Sequence, residues 1–216
     1  MTTERLAVAA RRPFVRDRMP QRLVRLSAGL VLFGVSMAMM VQATLGVGPW
    51  DVFHQGLSLH VPLSFGTIVI AISAVVLLLW IPLRERPGIG TIANAIVIGL
   101  VVDAALLVIA TPDTTAGRWG LMLSGVVLNG IGTGLYIGAG LGPGPRDGLM
   151  TGLAARGRSI SVVRTAIEAV VLGLGWLLGG TVGVGTIVFA LGIGPLAQVF
   201  LPLFTLADRP SATAAS

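Results

Sequence analysis

Six long apolar runs set the pattern of this chain, near 26–45, 64–82, 89–110, 119–140, 160–178 and 184–205. Each approaches the roughly 20 residues needed to cross a bilayer as a helix. The runs are continuous rather than alternating, so the pattern predicts helices and not the strands of a closed barrel. Polar punctuation separates them. Ile81-Pro82 closes the second run, and Arg84-Glu85-Arg86-Pro87 makes a charged turn at which proline stops a helix. Gly179-Gly180 divides the fifth run from the sixth. The organisation expected is a basic tail over 1–25, a three-helix unit over 26–110, a second over 118–205 and a flexible tail over 206–216.

Within this pattern one stretch occurs twice. Leu45-Gly46-Val47-Gly48-Pro49-Trp50-Asp51 returns as Leu141-Gly142-Pro143-Gly144-Pro145-Arg146-Asp147, an offset of 96 residues. The same offset aligns Gly29 with Gly125, Gly34 with Gly130 and Gly56 with Gly152. With one residue deleted, Gly88-Ile89-Gly90-Thr91-Ile92 falls on Gly183-Val184-Gly185-Thr186-Ile187. Chance apolar similarity yields scattered leucines, not two matched turns in the same order. Each unit holds three spans, an odd number, so the second is expected to sit upside down relative to the first. An inverted 3+3 repeat is a geometry from which alternating-access transporters are built, with the site at the repeat interface near the midplane.

Composition agrees with a membrane class. The 216 residues are 54% hydrophobic and 11% charged, with a mean hydropathy of +0.90, where soluble domains carry about a quarter charged residues. The net charge of +6 comes from arginine alone, since lysine is absent. Placing the N-terminus in the cytoplasm puts every arginine except Arg118 on the inner side, so both termini are expected there. This explains the positive charge better than nucleic-acid binding does. Arg11-Arg12 is similar to a twin-arginine signal, but the following run is too long for a signal core and belongs to the repeat. A cytoplasmic tail against anionic headgroups is the expected reading. With no cysteine and only His54 and His60, neither a thiolate nor a multi-histidine metal site is expected.

Residues 49–61 and 145–157 follow the repeated turns. They are too short to span and long enough for a half-helix, interfacial or re-entrant. Gly-Pro-x-Asp is a helix start, with glycine allowing the turn, proline at the first position and aspartate at the positive end. Asp51 and Asp147 are therefore either caps of short interfacial helices or paired carboxylates brought to the midplane from opposite faces. In the second case they would bind a proton, a cation or a cationic substrate. Trp50 against Arg146 reads as an interfacial aromatic and a cytosolic charge at matched positions. His54 is either a titrating group near neutral pH or an interfacial side chain.

Polar residues inside the spans complete the candidates. Asp103 lies deep in the third span, where a lone carboxylate costs about 2.5–3.5 kcal/mol on insertion scales, and its repeat partner is Gln198. Asn94, roughly two and a half turns before Asp103, is expected on about the same side. Glu168 follows Arg164 by one turn, the spacing of an intrahelical ion pair. Asn129 and Gln42 read as interhelical glue, and the glycines of the first and fourth spans as close-packing surfaces. No catalytic motif is present, so no enzyme activity, cofactor or catalytic residue is expected.

Gly48-Pro49-Trp50-Asp51-Val52-Phe53-His54-Gln55-Gly56-Leu57, and Ile81 through Asn94, resemble the bacterial YczE-type family of membrane proteins, related to the YitT group. The resemblance covers about residues 22–205. It implies a multi-pass bundle in a bacterial inner membrane and implies no activity and no site residue. Two functions stand on the sequence. One is a small-solute secondary transporter working by alternating access around Asp51, Asp147 and Asp103. The other is a non-transporting accessory or regulatory protein that binds a membrane protein or enzyme, or a second copy of itself.

Overall fold

The computed structural model describes residues 18–206. Arg5, Arg11, Arg12, Arg16 and Arg209 of the two tails lie outside them. All regular structure among the described residues is helical: α1 (Met19–Ala43), α2 (Pro49–Ser58), α3 (Phe65–Leu78), α4 (Trp80–Leu83), α5 (Ile89–Val108), α6 (Thr115–Gly138), α7 (Pro145–Ala154), α8 (Ile160–Leu177) and α9 (Val184–Phe204). Six stretches are long and apolar enough to cross a membrane: α1, α3 continued by α4, α5, α6, α8 and α9. They fall where the apolar runs predict. At ten residues each, α2 and α7 are about 15 Å long, half of a typical hydrocarbon core.

The repeated turn folds the same way in both places. Its first glycine takes a left-handed conformation, φ +103° at Gly46 and φ +125° at Gly142, which a side chain would strain. Its second glycine is the extended N-cap, φ −61° and ψ 158° at Gly48 and φ −62° and ψ 159° at Gly144. Proline then opens each short helix, where its missing N–H is not needed.

The first helix begins at Met19, inside the segment expected to be tail. Arg22 is buried and donates from Nη1 to Ala139 O at 2.8 Å. Arg25 Nη1 donates to Phe204 O at 2.5 Å. These cations satisfy carbonyls at the C-terminal ends of α6 and α9, where acceptors are left over and the helix dipole is negative. Arginines that read as tail are therefore structural.

At the centre α1 packs along α6, with α5 against α1 and α9 against α6. Small residues permit the approach. A Cβ at Gly29 would stand 2.6 Å from Tyr136 N, and one at Gly132 would stand 2.9 Å from Gly29 O. Gly130, Gly134 and Gly138 open the other face of α6 to Leu196, Phe200 and Phe204 of α9. Asn129 Nδ2 of α6 donates to Ser36 Oγ of α1 at 2.9 Å, the interhelical contact predicted, while Gln42 Oε1 of α1 accepts from Thr111 Oγ1 of the connection after α5 at 2.6 Å.

The two units are tied by an exchange. Gly90 N–H at the start of α5 donates to Leu141 O of the second turn at 2.9 Å, and Gly185 N–H at the start of α9 donates to Leu45 O of the first at 2.7 Å. Both helix starts are closed alike, by Thr91 Oγ1 accepting from Gly88 N–H at 3.1 Å and Thr186 Oγ1 from Gly183 N–H at 3.2 Å. The last helix of each unit thus docks on the other unit's turn.

Elsewhere the units differ. In the first, α3 lies along α5 with Gly66 and Gly99 in backbone contact. In the second, α8 makes no comparable packing with α9 and lies on α2 instead, Gly175 and Gly180 meeting the backbone of Val52 and Phe53. Gly194, the counterpart of Gly99, has open space at its Cβ position.

Candidate functional site

The two half-helices meet. Arg146, the second residue of α7, reaches the first turns of α2 with Nη1 3.9 Å from Asp51 Oδ1 and Nη2 3.4 Å from His54 Nε2. Its guanidinium lies over the Trp50 ring, 5.0 Å from the centroid, within cation–π range. His54 follows Asp51 by three residues, which places both on one side of α2, and His54 Nδ1 stands 3.5 Å from Asp51 Oδ1. Side-chain exposure is 0% for His54, 7% for Asp51 and 21% for Arg146. Asp147 turns the other way and accepts from Tyr136 Oη at 2.5 Å through Oδ2. Asn94 of α5 shares its neighbourhood, since a Cβ at Gly144 would stand 3.1 Å from Asp147 Oδ2 and 3.2 Å from Asn94 Nδ2.

Three buried polar atoms in this cluster have no hydrogen-bond partner: Trp50 Nε1, Asp51 Oδ1 and His54 Nδ1. Buried polar atoms are nearly always paired, so three unpaired ones in one cluster set this place apart among the described residues. Arg146 can only donate, so its approach to His54 Nε2 makes that nitrogen the acceptor and leaves the imidazole proton on Nδ1, towards Asp51. At 3.5 Å the contact is too long for a good hydrogen bond. Burial holds the His54 imidazole down at about 4; Asp51 pulls it up and Arg146 pushes it lower. Burial also lowers the Arg146 guanidinium, while Asp51 and Asp147 both raise it. One cation therefore serves two carboxylates.

Each aspartate lies in the first turn of its helix, behind a glycine N-cap. Apolar neighbours hold the two short helices in place. Phe65 at the start of α3 meets the His54 ring edge-on at 6.0 Å. Trp80, at the break between α3 and α4, is 2% exposed and donates from Nε1 to Pro145 O at 3.0 Å. Its indole lies flush on Gly148, leaving no room there for a Cβ.

Of the residues singled out in the sequence, Asp51, His54, Asp147 and Asn94 are gathered at this junction. His54 is buried within the protein, and Trp50 and Arg146, expected at opposite interfaces, stack on one another. Asp103 goes elsewhere: its carboxylate accepts from Ser64 Oγ at 2.5 Å and Gly66 N–H at 2.7 Å, capping α3. Asn94 and Asp103 do not share a face, because nine residues leave them half a turn out of phase. Gln198 is exposed on α9. Glu168 forms the expected pair with Arg164, at 2.8 Å. Arg146 and Tyr136 were not among the sequence candidates. The signal for Arg146 was its own mismatch with Trp50 inside an otherwise repeated turn.

These features define the class as a multi-pass helical membrane protein with two half-helices meeting at a buried charged junction. Residues 20–202 match the family of unknown function DUF6198, and the chain belongs to that family. It is 42% identical to an uncharacterized protein of Haemophilus influenzae, over 80% of this chain and 79% of that one. It is 36% identical to the uncharacterized membrane protein YczE of Bacillus subtilis, over 88% and 92%. A second Bacillus subtilis protein, YyaS, is 27% identical over 81% and 90%. No solved structure matches.

Proposed function

We propose that this protein is a small-solute secondary transporter in the bacterial inner membrane, built from two inverted three-helix repeats and working by alternating access, with both termini cytoplasmic. The observation that carries the reading is the meeting of α2 and α7, one half-helix from each unit, over the buried Asp51–His54–Arg146–Asp147 cluster. Irregular backbone at membrane depth is tolerated only inside protein or around a cavity, and glycine-rich turns leading to half-helices fit that requirement. The odd number of membrane-length helices per unit and the exchanged backbone bonds support inversion. The difference between the α3–α5 and α8–α9 pairs suits a state in which one half is closed and the other open.

Flux in proteoliposomes tests the reading. Asp51→Asn and Asp147→Asn should each abolish uptake or efflux while the protein still folds; unaltered flux in both removes these carboxylates from the mechanism. A second reading, an accessory protein bound to a membrane protein or enzyme, is favoured by α9, whose buried residues are Gly185 and Thr186 at its start and whose exposed side carries Gln198. A stoichiometric co-purified partner, with no solute-dependent thermal shift, would support it.

A further inference from the structure

We propose that Asp51 and His54 form a single proton-binding centre whose occupancy controls the link between α2 and α7. The inference deepens the transport reading by naming the coupling ion, and its test does not require flux.

Charge counting comes first. Asp51 and Asp147 are two negative charges beside one arginine, and neutral His54 adds none. Arg164 of α8 is paired with Glu168 at 2.8 Å and leaves the balance unchanged. Tyr136 of α6 and Asn94 of α5 are neutral, and α3 offers Phe65. The group carries one excess negative charge in a buried place, an expense relieved by one positive charge.

The orphaned atoms say where that charge goes. Asp51 Oδ1 and His54 Nδ1 face each other at 3.5 Å without partners. A metal ion needs more ligands than this, and among the described residues no three His, Asp or Glu side chains are placed to hold one together. A proton requires neither a third ligand nor a cavity.

The consequence for the junction has the same sign wherever the proton sits. On Asp51 it cancels the charge that faces Arg146 at 3.9 Å. On His54 it makes the imidazole a cation with N–H on both nitrogens, and Nε2, 3.4 Å from Arg146 Nη2, becomes a donor facing a donor. Either way the polar attraction between Arg146 and α2 weakens, while its stack on Trp50 and its pull towards Asp147 remain, and the contact between the half-helices loosens.

The test uses purified full-length protein in micelles. Infrared difference spectra between about pH 8 and about pH 4 should show the carbonyl stretch of a protonated carboxyl at the centre. That band should vanish in Asp51→Asn and persist in Asp147→Asn. If Asp51→Asn does not fold, His60→Asn leaves His54 as the sole histidine, and its labelled ring nitrogens can be followed by NMR. They should change with the same midpoint as the carboxyl band. A silent His54 with no carboxyl band, or a band that depends on Asp147 instead, overturns the proposal. If the centre titrates as described and no solute is moved, the transport reading fails and the proton site stands.

Discussion

Gly148→Ala places a methyl group where the Trp80 indole now lies, inside contact distance of Cζ2 and Cη2 and 2.8 Å from Cε2. Trp80 is held by burial and by its bond to Pro145 O, so either the ring leaves its slot or α7 shifts. Overpacking of this kind costs about 1–3 kcal/mol, and losing the indole bond adds about 1 kcal/mol. Alanine returns about 1 kcal/mol through helix propensity. The net loss should be about 2 kcal/mol, or roughly 4–8 °C in Tm for a chain of this size. Thermal unfolding by circular dichroism in micelles measures it. In a Trp80→Ala background the clash is absent, and Gly148→Ala should be neutral or stabilising by about 1 kcal/mol, giving a coupling of about 2–3 kcal/mol in a double-mutant cycle. Wild-type stability of Gly148→Ala, or an equal loss in both backgrounds, would refute the claim that Trp80 seats α7.

Asp103→Ala should cost about 1–2 kcal/mol through the lost cap on α3 and leave flux per folded molecule unchanged, since its carboxylate is engaged with Ser64 and Gly66. Arg22→Ala should destabilise by about 1.5–3 kcal/mol, the worth of a charged hydrogen bond, measured by the same melts. Because His54 in the folded protein lies below its ordinary value, at about 4, the unfolded chain takes up its proton first as pH falls. Its burial therefore leaves stability intact above about pH 6.5 and erodes it between about pH 6.5 and about pH 4. Melting curves across that window should fall more steeply for wild type than for His54→Gln.

Much of the fold was legible because lipid imposes length and continuity on apolar runs: the six membrane-length helices lie where the pattern puts them. The start of α1 was not, since Arg22 and Arg25 read as tail until the carbonyls they satisfy, Ala139 and Phe204, come into view. Asp51 and Asp147 stood out through repetition. Arg146 showed only as a mismatch with Trp50, because contact between two segments 96 residues apart leaves no local sign of what the side chain meets. Asp103 misled in the opposite direction. A carboxylate inside an apolar run looks like a pathway residue until Ser64 and Gly66, from another helix, are seen to bond it.

The claim on which the rest depends is that the two units are inverted, so that α2 and α7 enter from opposite faces. The chain has no cysteine, and Leu59 and Ala155 are exposed just past the ends of these helices. Single cysteines at the two positions, probed with an impermeant thiol reagent in oriented vesicles, should label from opposite sides. Labelling of both from the same side would contradict the inverted repeat and the alternating-access reading built on it.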